Sequence, residues 1–412
     1  MRRPLPLLLV LAMAARNLAR NKVRSALALA AIASGVAGLL LSGGFVNDLI
    51  FQLGEALIHS QSGHLQVART GYFEFGSRAP AKYLIAPEEV DRIGLQTVSH
   101  VVDVMRRINF SALLNNGRSS YPVLGEGIEP DNETRLGTHV TLLEGATLSA
   151  KDRSGALVGA GLARAMNLKP GSVISLLAPT IDEAMNSVDL EVVGIFQSFS
   201  ADYDNRVIKL PLTAAQDLLN TNGVNVLVMQ LDHTENTQRA AKAIAGRAAK
   251  LGLEVLTWDR LNDFYWKAVA LYDRQFGVLR LVVLIMVLLA VIGAINISVA
   301  ERTGEFGTMR ALGNSGADVM RLVLVEGVLM GVAGAVAGVL LGLAAASLIS
   351  RIGIPMPPPP NSNLDYIGHI RVDVIDCSSA FAIGIGATVL ASIAPAFRVR
   401  RLPIVDALRR MV

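Results

Sequence analysis

The segment ERTGEFGTMRALGNS (residues 301–315) is a charged, glycine-containing stretch that separates two long apolar runs. Four runs in the chain lack Asp, Glu, Lys and Arg, and each is 20 to 24 residues long: 25–47, 281–300, 327–350 and 377–397. About 20 apolar residues in a helix cross the hydrocarbon core of a bilayer, so each run predicts a transmembrane helix. Charged residues make up only 17% of the 412 positions, against about 25% in soluble domains. Residues 301–315 are therefore predicted to form a short loop at the membrane surface.

Basic residues are concentrated on one side of the four predicted helices. They precede the first run, separate the second from the third and follow the fourth: Arg16, Arg20, Lys22, Arg24, Arg302, Arg310, Arg321, Arg398, Arg400, Arg401, Arg409 and Arg410. Because positively charged loops stay in the cytoplasm, both termini and residues 301–315 are predicted to be cytoplasmic, with the protein in the inner (plasma) membrane. The net charge of +4 thus reflects membrane orientation, and no nucleic-acid partner is predicted.

The fold class that follows is a membrane protein with four transmembrane helices and a large α+β extracytoplasmic (periplasmic) domain between helices one and two. The predicted segments are an interfacial helix at 1–24, spans at 25–47, 276–300, 321–350 and 377–397, the extracytoplasmic domain at 48–275, a cytoplasmic loop at 301–320, an outer Pro-rich loop at 351–376 and a cytoplasmic tail at 398–412. The N-terminal stretch also has the form of a secretory signal peptide, with two arginines, an apolar stretch and Ala12-Met13-Ala14. Whether that stretch is cleaved is left open.

The region 48–275 contains the patterns of a folded α+β domain. Two strand-like runs flank Asn115-Asn116-Gly117, which predicts a hairpin. Further strands are predicted at 189–196, 206–212, 224–231 and 253–258, with helices at 161–168, 213–220 and 237–251. Thr213 is predicted to cap the second of these helices. Cys377 is the only cysteine, so the domain has no internal disulfide.

Sequence motifs for nucleotide, metal and hydrolytic chemistry are absent. The chain has no G-x-x-x-x-G-K-[ST], no H-E-x-x-H and no G-x-S-x-G. The interiors of the predicted spans are nearly free of ionisable side chains, which argues against an ion pathway. Glu326 is the exception, and Asn296 is a further polar residue in the second span. Glu326 either pairs close to the membrane surface or makes an interhelical contact near residues 301–315, and Asn296 is interpreted as an interhelical hydrogen-bonding group.

Glycines recur at helical spacing along the third run: Gly327, Gly331, Gly334, Gly338 and Gly342. Small residues four apart let two helices approach closely, so these positions predict a helix-packing face. The pattern suits packing within one subunit and contact between subunits equally well.

Residues 301–315 resemble the loop between the second and third spans of FtsX-like (MacB/LolC/LolE-type) permeases of ABC transporters. The residues that match are Glu301, Arg302, Glu305, Phe306, Gly307, Arg310, Ala311, Leu312 and Gly313, whereas Asn314 departs from the usual small residue. The segments ARNLARNKVRSAL (15–27), VGIFQSF (193–199), IKLPLTAAQDLL (208–219) and RVRRLPIVDALR (398–409) are similar to other parts of this family.

The resemblance implies that residues 301–320 are a coupling loop that docks on a separate ABC ATPase subunit. It also implies a second permease copy or paralogue, contact with membrane lipid, and an envelope adaptor or substrate protein as a further partner. No cofactor is expected in this chain, because ATP and Mg would be bound by the partner subunit.

The residues of the loop suit docking by themselves. Phe306, Met309 and Leu312 form an i, i+3, i+6 stripe that we interpret as an anchor for a partner's groove. Gly304, Gly307 and Gly313 permit tight turns. The charges of Glu301, Arg302, Glu305 and Arg310 would orient the contact. The alternative is a solvated loop without a partner.

Three functional hypotheses follow. The first is a permease of the mechanotransmission type, in which ATP hydrolysis by a partner drives export or extraction of lipoprotein, lipid or amphipathic substrates. The second is an FtsX-type regulator that moves an extracytoplasmic enzyme and transports nothing. The third is an unrelated membrane-anchored sensor. The large size of the region 48–275 favours the first over the second.

Overall fold

The computed structural model describes residues 6–20, 22–76, 80–136, 140–149, 151–358, 365–401 and 403. Among these residues, four helices are long and apolar enough to cross a membrane, at Ser25–Ser62, Asp263–Glu301, Gly316–Ile352 and Val374–Arg400. The prediction of four transmembrane helices and an α+β domain is confirmed. The predicted cytoplasmic tail lies mostly outside the described residues.

The α-helices, in chain order, are α1 Leu7–Arg20, α2 Lys22–Leu57, α3 Tyr72–Phe75, α4 Pro87–Ile93, α5 Pro130–Leu136, α6 Ala160–Met166, α7 Ala201–Asp204, α8 Leu212–Leu219, α9 Thr237–Lys250, α10 Trp258–Leu261, α11 Asp263–Glu301, α12 Thr303–Ala311, α13 Gly316–Ile352 and α14 Val374–Arg400. A π-helical turn at Ile58–Ser62 follows α2, and 3₁₀ turns occur at Pro80–Tyr83, Leu95–Thr97 and Thr234–Asn236.

The strands are β1 Leu65–Arg69, β2 Val101–Asn115, β3 Ser120–Ile128, β4 Thr141–Gly145, β5 Gly155–Gly159, β6 Val173–Pro179, β7 Met185–Gln197, β8 Val207–Pro211, β9 Val226–Leu231, β10 Leu253–Thr257, β11 Ile354–Met356 and β12 Tyr366–Gly368.

The chain divides into two compact units. The described residues of Met1–Ile50, Val269–Pro355 and Ile367–Val412 form the first, here called the helical unit, and those of Phe51–Ala268 and Met356–Tyr366 form the second, the sheet unit. Two helices run well beyond the predicted spans: α2 continues to Leu57 and α11 begins at Asp263. Hydropathy marks only the part of a helix that lies in hydrocarbon, whereas backbone hydrogen bonding lets the helix continue into polar sequence.

The glycines of α13 pack against two helices of the same chain. A methyl group added to Gly327 would lie 2.0 Å from Ser392 Oγ of α14, and one added to Gly331 would lie 3.0 Å from Thr388 Cβ. Further along α13, methyl groups added to Gly334, Gly338 and Gly342 would lie 2.7 to 2.8 Å from side-chain atoms of α2. These atoms belong to Ile32, Val36 and Leu40, respectively. The glycine face is therefore occupied within the subunit, and the alternative of a subunit contact is not needed to explain it.

The sheet unit is built on a ten-stranded mixed sheet with the strand order β10-β1-β9-β2-β3-β8-β5-β7-β4, and β6 pairs with β2 and β7. Most pairs are antiparallel, while β3–β8 and β5–β7 are parallel. The predicted hairpin is the β2–β3 pair, and Gly117 in its turn has a φ of 81° that favours glycine. The predicted cap at Thr213 is wrong, because α8 already begins at Leu212 and no side chain caps it.

A buried ionic network lies within the sheet unit. Arg107 Nη2 donates to both carboxylate oxygens of Glu133 at 3.0 and 2.9 Å, and Lys209 Nζ donates to Glu133 Oε1 at 2.7 Å. The Tyr203 hydroxyl donates to Glu126 Oε2 at 2.7 Å. Burial alone would raise the pKa of Glu133, but the charges of Arg107 and Lys209 outweigh burial and lower this pKa to about 2. Glu133 thus remains ionised in the folded protein.

Candidate functional site

The short helix α12 connects the long apolar helices α11 and α13. Its inward-facing residues Thr303, Phe306 and Gly307 are buried, while Thr308 and Ala311 are exposed. Buried positions at i, i+3 and i+4 define one face of a helix. The predicted loop at 301–320 is therefore mainly helical, with one face held against its own subunit.

Phe306 is the inner anchor of α12. Its side chain is 2% exposed and belongs to the apolar core of the helical unit, against which Met309 also packs. Leu312, the third member of the predicted stripe, is 84% exposed. The three residues therefore do not form one exposed apolar face in this structure, and their docking on a partner stays a prediction. Hydrophobic spacing identifies an apolar face but does not tell whether the partner of that face is the same chain.

Arg302 precedes α12 and forms the central ion pair of the site. Its Nη1 donates to both carboxylate oxygens of Glu326 on α13 at 2.8 Å each, and Arg302 and Glu326 are 6% and 7% exposed. The guanidinium also lies 5.1 Å from the centroid of the Phe306 ring, within cation–π range. Removal of one partner from a buried, hydrogen-bonded ion pair is destabilising, because the charge that remains is poorly compensated.

The N-terminal helix α1 contributes an amide to the same pair. Asn17 Nδ2 donates to Glu326 Oε1 at 2.6 Å, so Glu326 accepts hydrogen bonds from both α1 and the α11–α12 connection. A cavity of about 20 Å³ beside these groups is lined in part by Ser25 and Ser298. This volume suffices for about one water molecule. Glu326 thus pairs with Arg302 and also makes an interhelical hydrogen bond to α1.

Glu305 forms the outer part of this network. It accepts a hydrogen bond from Arg302 Nε at 2.9 Å and a second from Arg20 Nη2 on α1. Partial burial would raise the pKa of Glu305, but the hydrogen bonds and charges of Arg302 and Arg20 outweigh it and lower this pKa from its ordinary value. The side chains of Arg20 and Glu305 are 57% and 40% exposed, so this pair contributes little stability by itself.

A tight turn connects α12 to α13. Gly313 has a φ of 102°, and the backbone and side-chain nitrogens of Asn314 donate to Met309 O at 3.1 and 3.0 Å. Asn314 thereby satisfies a carbonyl at the end of α12, a role that the usual small residue could not fill with its side chain. Ser315 and Asp318 then form a reciprocal cap at the start of α13.

The structure brings together some predicted site residues and separates others. Arg302, Glu305, Phe306, Gly307 and Met309 lie on or near the inner face of α12, whereas Glu301 and Leu312 are exposed and Arg310 is half-buried. Sequence reasoning missed Asn17 as a member of this network. The sequence does show Asn17 as a lone amide between the basic residues of an apolar helix. It does not identify the partner of that amide, Glu326, which is 309 residues away. Asn296 accepts from Arg398 Nη1 at 3.2 Å, which joins α11 to α14.

Two family models match the chain. The model of the MacB-like periplasmic core domain matches residues 25–247, and the model of the FtsX-like permease C-terminal region matches residues 277–404. The second match includes the C-terminal part of α11 and the whole of α12, α13 and α14.

Individual relatives are distant. The chain is 23% identical over 269 residues to the lipoprotein-releasing system transmembrane protein LolC of Neisseria meningitidis serogroup B. This alignment covers 61% of this chain and 64% of LolC, which is less than two thirds of the length of that protein. It is 24% identical over 366 residues to the macrolide export ATP-binding/permease protein MacB of Bdellovibrio bacteriovorus, covering 82% of this chain and 54% of that protein. The periplasmic region of MacB from Actinobacillus actinomycetemcomitans matches 50% of this chain and 93% of its own, with a TM-score of 0.36 and 14% identity.

Proposed function

The chain belongs to the FtsX-like permeases that carry a MacB-like periplasmic core domain, and from that premise we propose that it is the membrane-spanning subunit of an ABC transporter. A separate ATPase subunit would dock on α12, and a second permease copy or paralogue would complete the transporter. Movement driven by ATP hydrolysis would be used to export or extract a lipoprotein, lipid or amphipathic compound.

The observation that carries this proposal is the two-sided character of α12. Its inner face is fastened by Phe306 and by the Arg302–Glu326 pair, while Thr308, Ala311 and Leu312 remain exposed on the outside. A partner that contacts the exposed residues would therefore displace α12 together with α11 and α13. A solvated loop with no mechanical role would not need a buried ion pair beneath it, because such a pair is costly to desolvate.

The helices joined to α12 are suited to carry that displacement. α11 and α13 contain 39 and 37 residues, which is long enough for each to carry a displacement of α12 across a hydrocarbon core about 30 Å thick. α13 is also packed tightly on α2 and α14 through its glycines. These features support a mechanotransmission mechanism, in which helix movement performs the work and no substrate passes between the spans.

The proposed substrate class comes from the relatives. Their names describe lipoprotein release, macrolide export and pyoverdine export. We propose a lipid-bearing or amphipathic substrate here for that reason alone. An FtsX-type regulator would use the same α12 and ATPase but would release no substrate, so the two functions are separated by a transport measurement.

The docking surface can be tested by changing Leu312, which is 84% exposed. The affinity-tagged chain is purified from membranes of its native host, and ABC-type ATPase subunits that accompany it are identified by mass spectrometry and quantified. We expect Leu312→Glu to reduce recovery of the ATPase at least tenfold, since charge at an apolar anchor of an interface is strongly unfavourable. Val374→Glu is the matched control, because Val374 is 83% exposed and belongs to α14.

Two results would contradict the proposal: recovery of no ABC-type ATPase with the unaltered chain, or equal recovery with both variants. Lipids and proteins released from spheroplasts are compared in the same strains. Loss of a specific lipid or lipoprotein from the released fraction with Leu312→Glu supports transport. Unchanged release together with lost ATPase recovery supports the regulator.

A further inference from the structure

Lys209 lies in the middle of a buried strand. All five residues of β8 are buried, and Lys209 is 4% exposed. β8 is an inner strand of the sheet, with β3 on one side and β5 on the other. An ammonium group that leaves water loses its hydration, so a buried lysine needs hydrogen-bond acceptors inside the protein. Lys209 therefore depends on the acceptors that surround its Nζ atom.

The fold satisfies only part of this ammonium group. Nζ donates to Glu133 Oε1 at 2.7 Å, and the same carboxylate also accepts two hydrogen bonds from Arg107. Glu126 Oε2 lies 3.9 Å from Nζ, beyond hydrogen-bond distance, and accepts from the Tyr203 hydroxyl instead. Within the described ranges Nζ has no other hydrogen bond. A lysine ammonium carries three N–H donors, so two of them remain available.

A cavity of about 110 Å³ lies beside this lysine, on one face of the sheet. Five adjacent strands, β3, β8, β5, β7 and β4, each contribute one residue to its wall. In that order the residues are Ile128, Lys209, Leu157, Phe196 and Leu142. The strand register places Lys209 opposite Leu157 and Phe196 opposite Leu142, and opposite residues project on the same side of a sheet. Helix α5 closes part of the cavity with Pro130 and Glu133.

The polar end of Lys209 borders this cavity. Two of the groups around Nζ line the cavity: Glu133, its hydrogen-bond acceptor, and Phe196, whose ring centroid lies 5.4 Å from Nζ. The side chains of Lys209 and Glu133 retain 5% and 12% exposure. The remaining wall is mostly apolar, and Leu142 at 36% exposure marks its opening beside the exposed Thr147. A compact apolar cavity with one polar corner is the general form of a small-molecule site.

Charge decides which polar group fits this corner. Two basic and two acidic side chains meet here, so their formal charges cancel: Arg107, Lys209, Glu126 and Glu133. A carboxylate placed next to Lys209 would also lie beside Glu133 and would add an uncompensated negative charge to a buried site. An ammonium group would be repelled by Lys209. A carbonyl oxygen accepts from the available N–H donors and leaves the charge balance unchanged.

We propose that this cavity binds a neutral amphipathic molecule through a carbonyl oxygen that accepts a hydrogen bond from Lys209 Nζ. A branched or aromatic apolar group attached to the carbonyl would pack against Leu157 and Phe196. The cavity is somewhat smaller than the roughly 150 Å³ of an apolar cavity that holds benzene, so about five non-hydrogen atoms fit inside. The rest of a larger ligand would leave past Leu142 and Thr147. The site lies within the sheet unit and does not depend on α12.

The proposal is tested with the full chain in lipid nanodiscs and the probe isobutyramide, by saturation-transfer NMR titration with empty nanodiscs as the background. Isobutyrate and isobutylammonium have the same carbon skeleton and carry a negative and a positive charge, so they are the matched ligand controls. We expect saturable binding of isobutyramide and at least tenfold weaker binding of both controls. No saturable binding of isobutyramide would show that the cavity holds only water, and equal or tighter binding of isobutyrate would show an anion site. Either result would overturn the proposal.

Variants locate the site. Thr147→Trp covers the opening and should abolish binding, whereas Thr141→Trp is the control, because Thr141 is exposed on β4 and does not line the cavity. Lys209→Met removes the ammonium but keeps the length of the side chain, and should weaken binding at least tenfold. Melting temperatures show whether each variant is folded, and the two threonine variants decide the matter if Lys209→Met is not. Equal binding by Thr147→Trp and Thr141→Trp would place the ligand elsewhere.

Discussion

Arg302 and Glu326 are 24 residues apart in sequence, at the end of one long apolar helix and inside the next, yet one guanidinium nitrogen lies 2.8 Å from each carboxylate oxygen. The pair joins the α11–α12 connection to α13 on the buried side of α12. Asn17 of α1 also donates a hydrogen bond to Glu326. The exposed residues of α12 therefore stand on a fixed base, which distinguishes this connection from a flexible loop.

Removal of one member of this pair should destabilise the protein strongly. Glu326→Gln leaves the buried Arg302 with only the partly exposed Glu305 as a charge partner, and we expect a loss of roughly 3 kcal/mol in the free energy of unfolding. Arg20→Gln is the control, because the Arg20 side chain is 57% exposed and should cost less than about 1 kcal/mol. Thermal unfolding of the detergent-purified variants measures both. Equal, small changes in melting temperature would show that the pair is not a structural anchor.

Substitution of Phe306 should lower stability, whereas substitution of Leu312 should weaken ATPase binding. Phe306→Ala empties a buried site and should reduce stability by about 3 to 5 kcal/mol, whereas Leu312→Ala should change it by no more than about 0.5 kcal/mol. Recovery of the ATPase should fall for Leu312→Ala without any loss of melting temperature. If instead Phe306→Ala melts normally and loses the ATPase, Phe306 contacts the partner directly, as its sequence spacing first suggested.

The glycine face of α13 should not tolerate added volume. A methyl group at Gly338 would meet the Ala33 carbonyl oxygen at 2.8 Å and Val36 Cβ at 2.7 Å, so Gly338→Ala should cost about 1 to 3 kcal/mol through displacement of α2. A methyl group added to Gly386 of α14 would meet no atom within 4 Å. Gly386→Ala should therefore be neutral or slightly stabilising. Melting temperatures of the two variants decide this, and a neutral Gly338→Ala would mean that α2 and α13 are not closely packed.

Acid should weaken the sheet unit through Glu133. Its pKa is about 2 in the folded protein against an ordinary value near 4.3, so the unfolded chain takes up a proton first as the pH falls. The stability contributed by Glu133 is therefore complete above about pH 4.5 and is lost progressively toward pH 2, by roughly 3 kcal/mol in total. Glu133→Gln should be less stable at pH 7 and should lose less stability on acidification. Parallel pH dependences of the variant and the unaltered chain would contradict this origin.

The predicted topology remains to be measured. In a Cys377→Ser background, a cysteine at Arg118, beside the β2–β3 turn, should react with a membrane-impermeant maleimide in intact cells whose outer membrane is permeabilised. A cysteine at Ala311 should react only after lysis. Arg118 is preferred to the nearby Asn116 for labelling, because the Asn116 side chain accepts from two backbone N–H groups in the turn. The reverse labelling pattern would invert the orientation drawn from the arginines.

Residue 314 shows how a departure from a sequence pattern can be explained only by contacts. In the chain Asn314 simply stands where a small residue is usual. In the structure both of its nitrogens donate to the Met309 carbonyl at the end of α12. Because that carbonyl lies five residues earlier, its need for a partner follows from where α12 ends, which the sequence pattern does not specify to the residue.

The sequence by itself determined the four apolar helices, the α+β domain between the first two, the β2–β3 hairpin and the position of the charged connection, since each depends on the local composition and periodicity of consecutive residues. Only the tertiary structure decided that Phe306 faces its own core and that Asn17 and Arg302 share Glu326. The physical reason is that apolar spacing and an isolated polar residue record the need for a partner, while the partner's identity depends on chain segments that meet only when the protein folds.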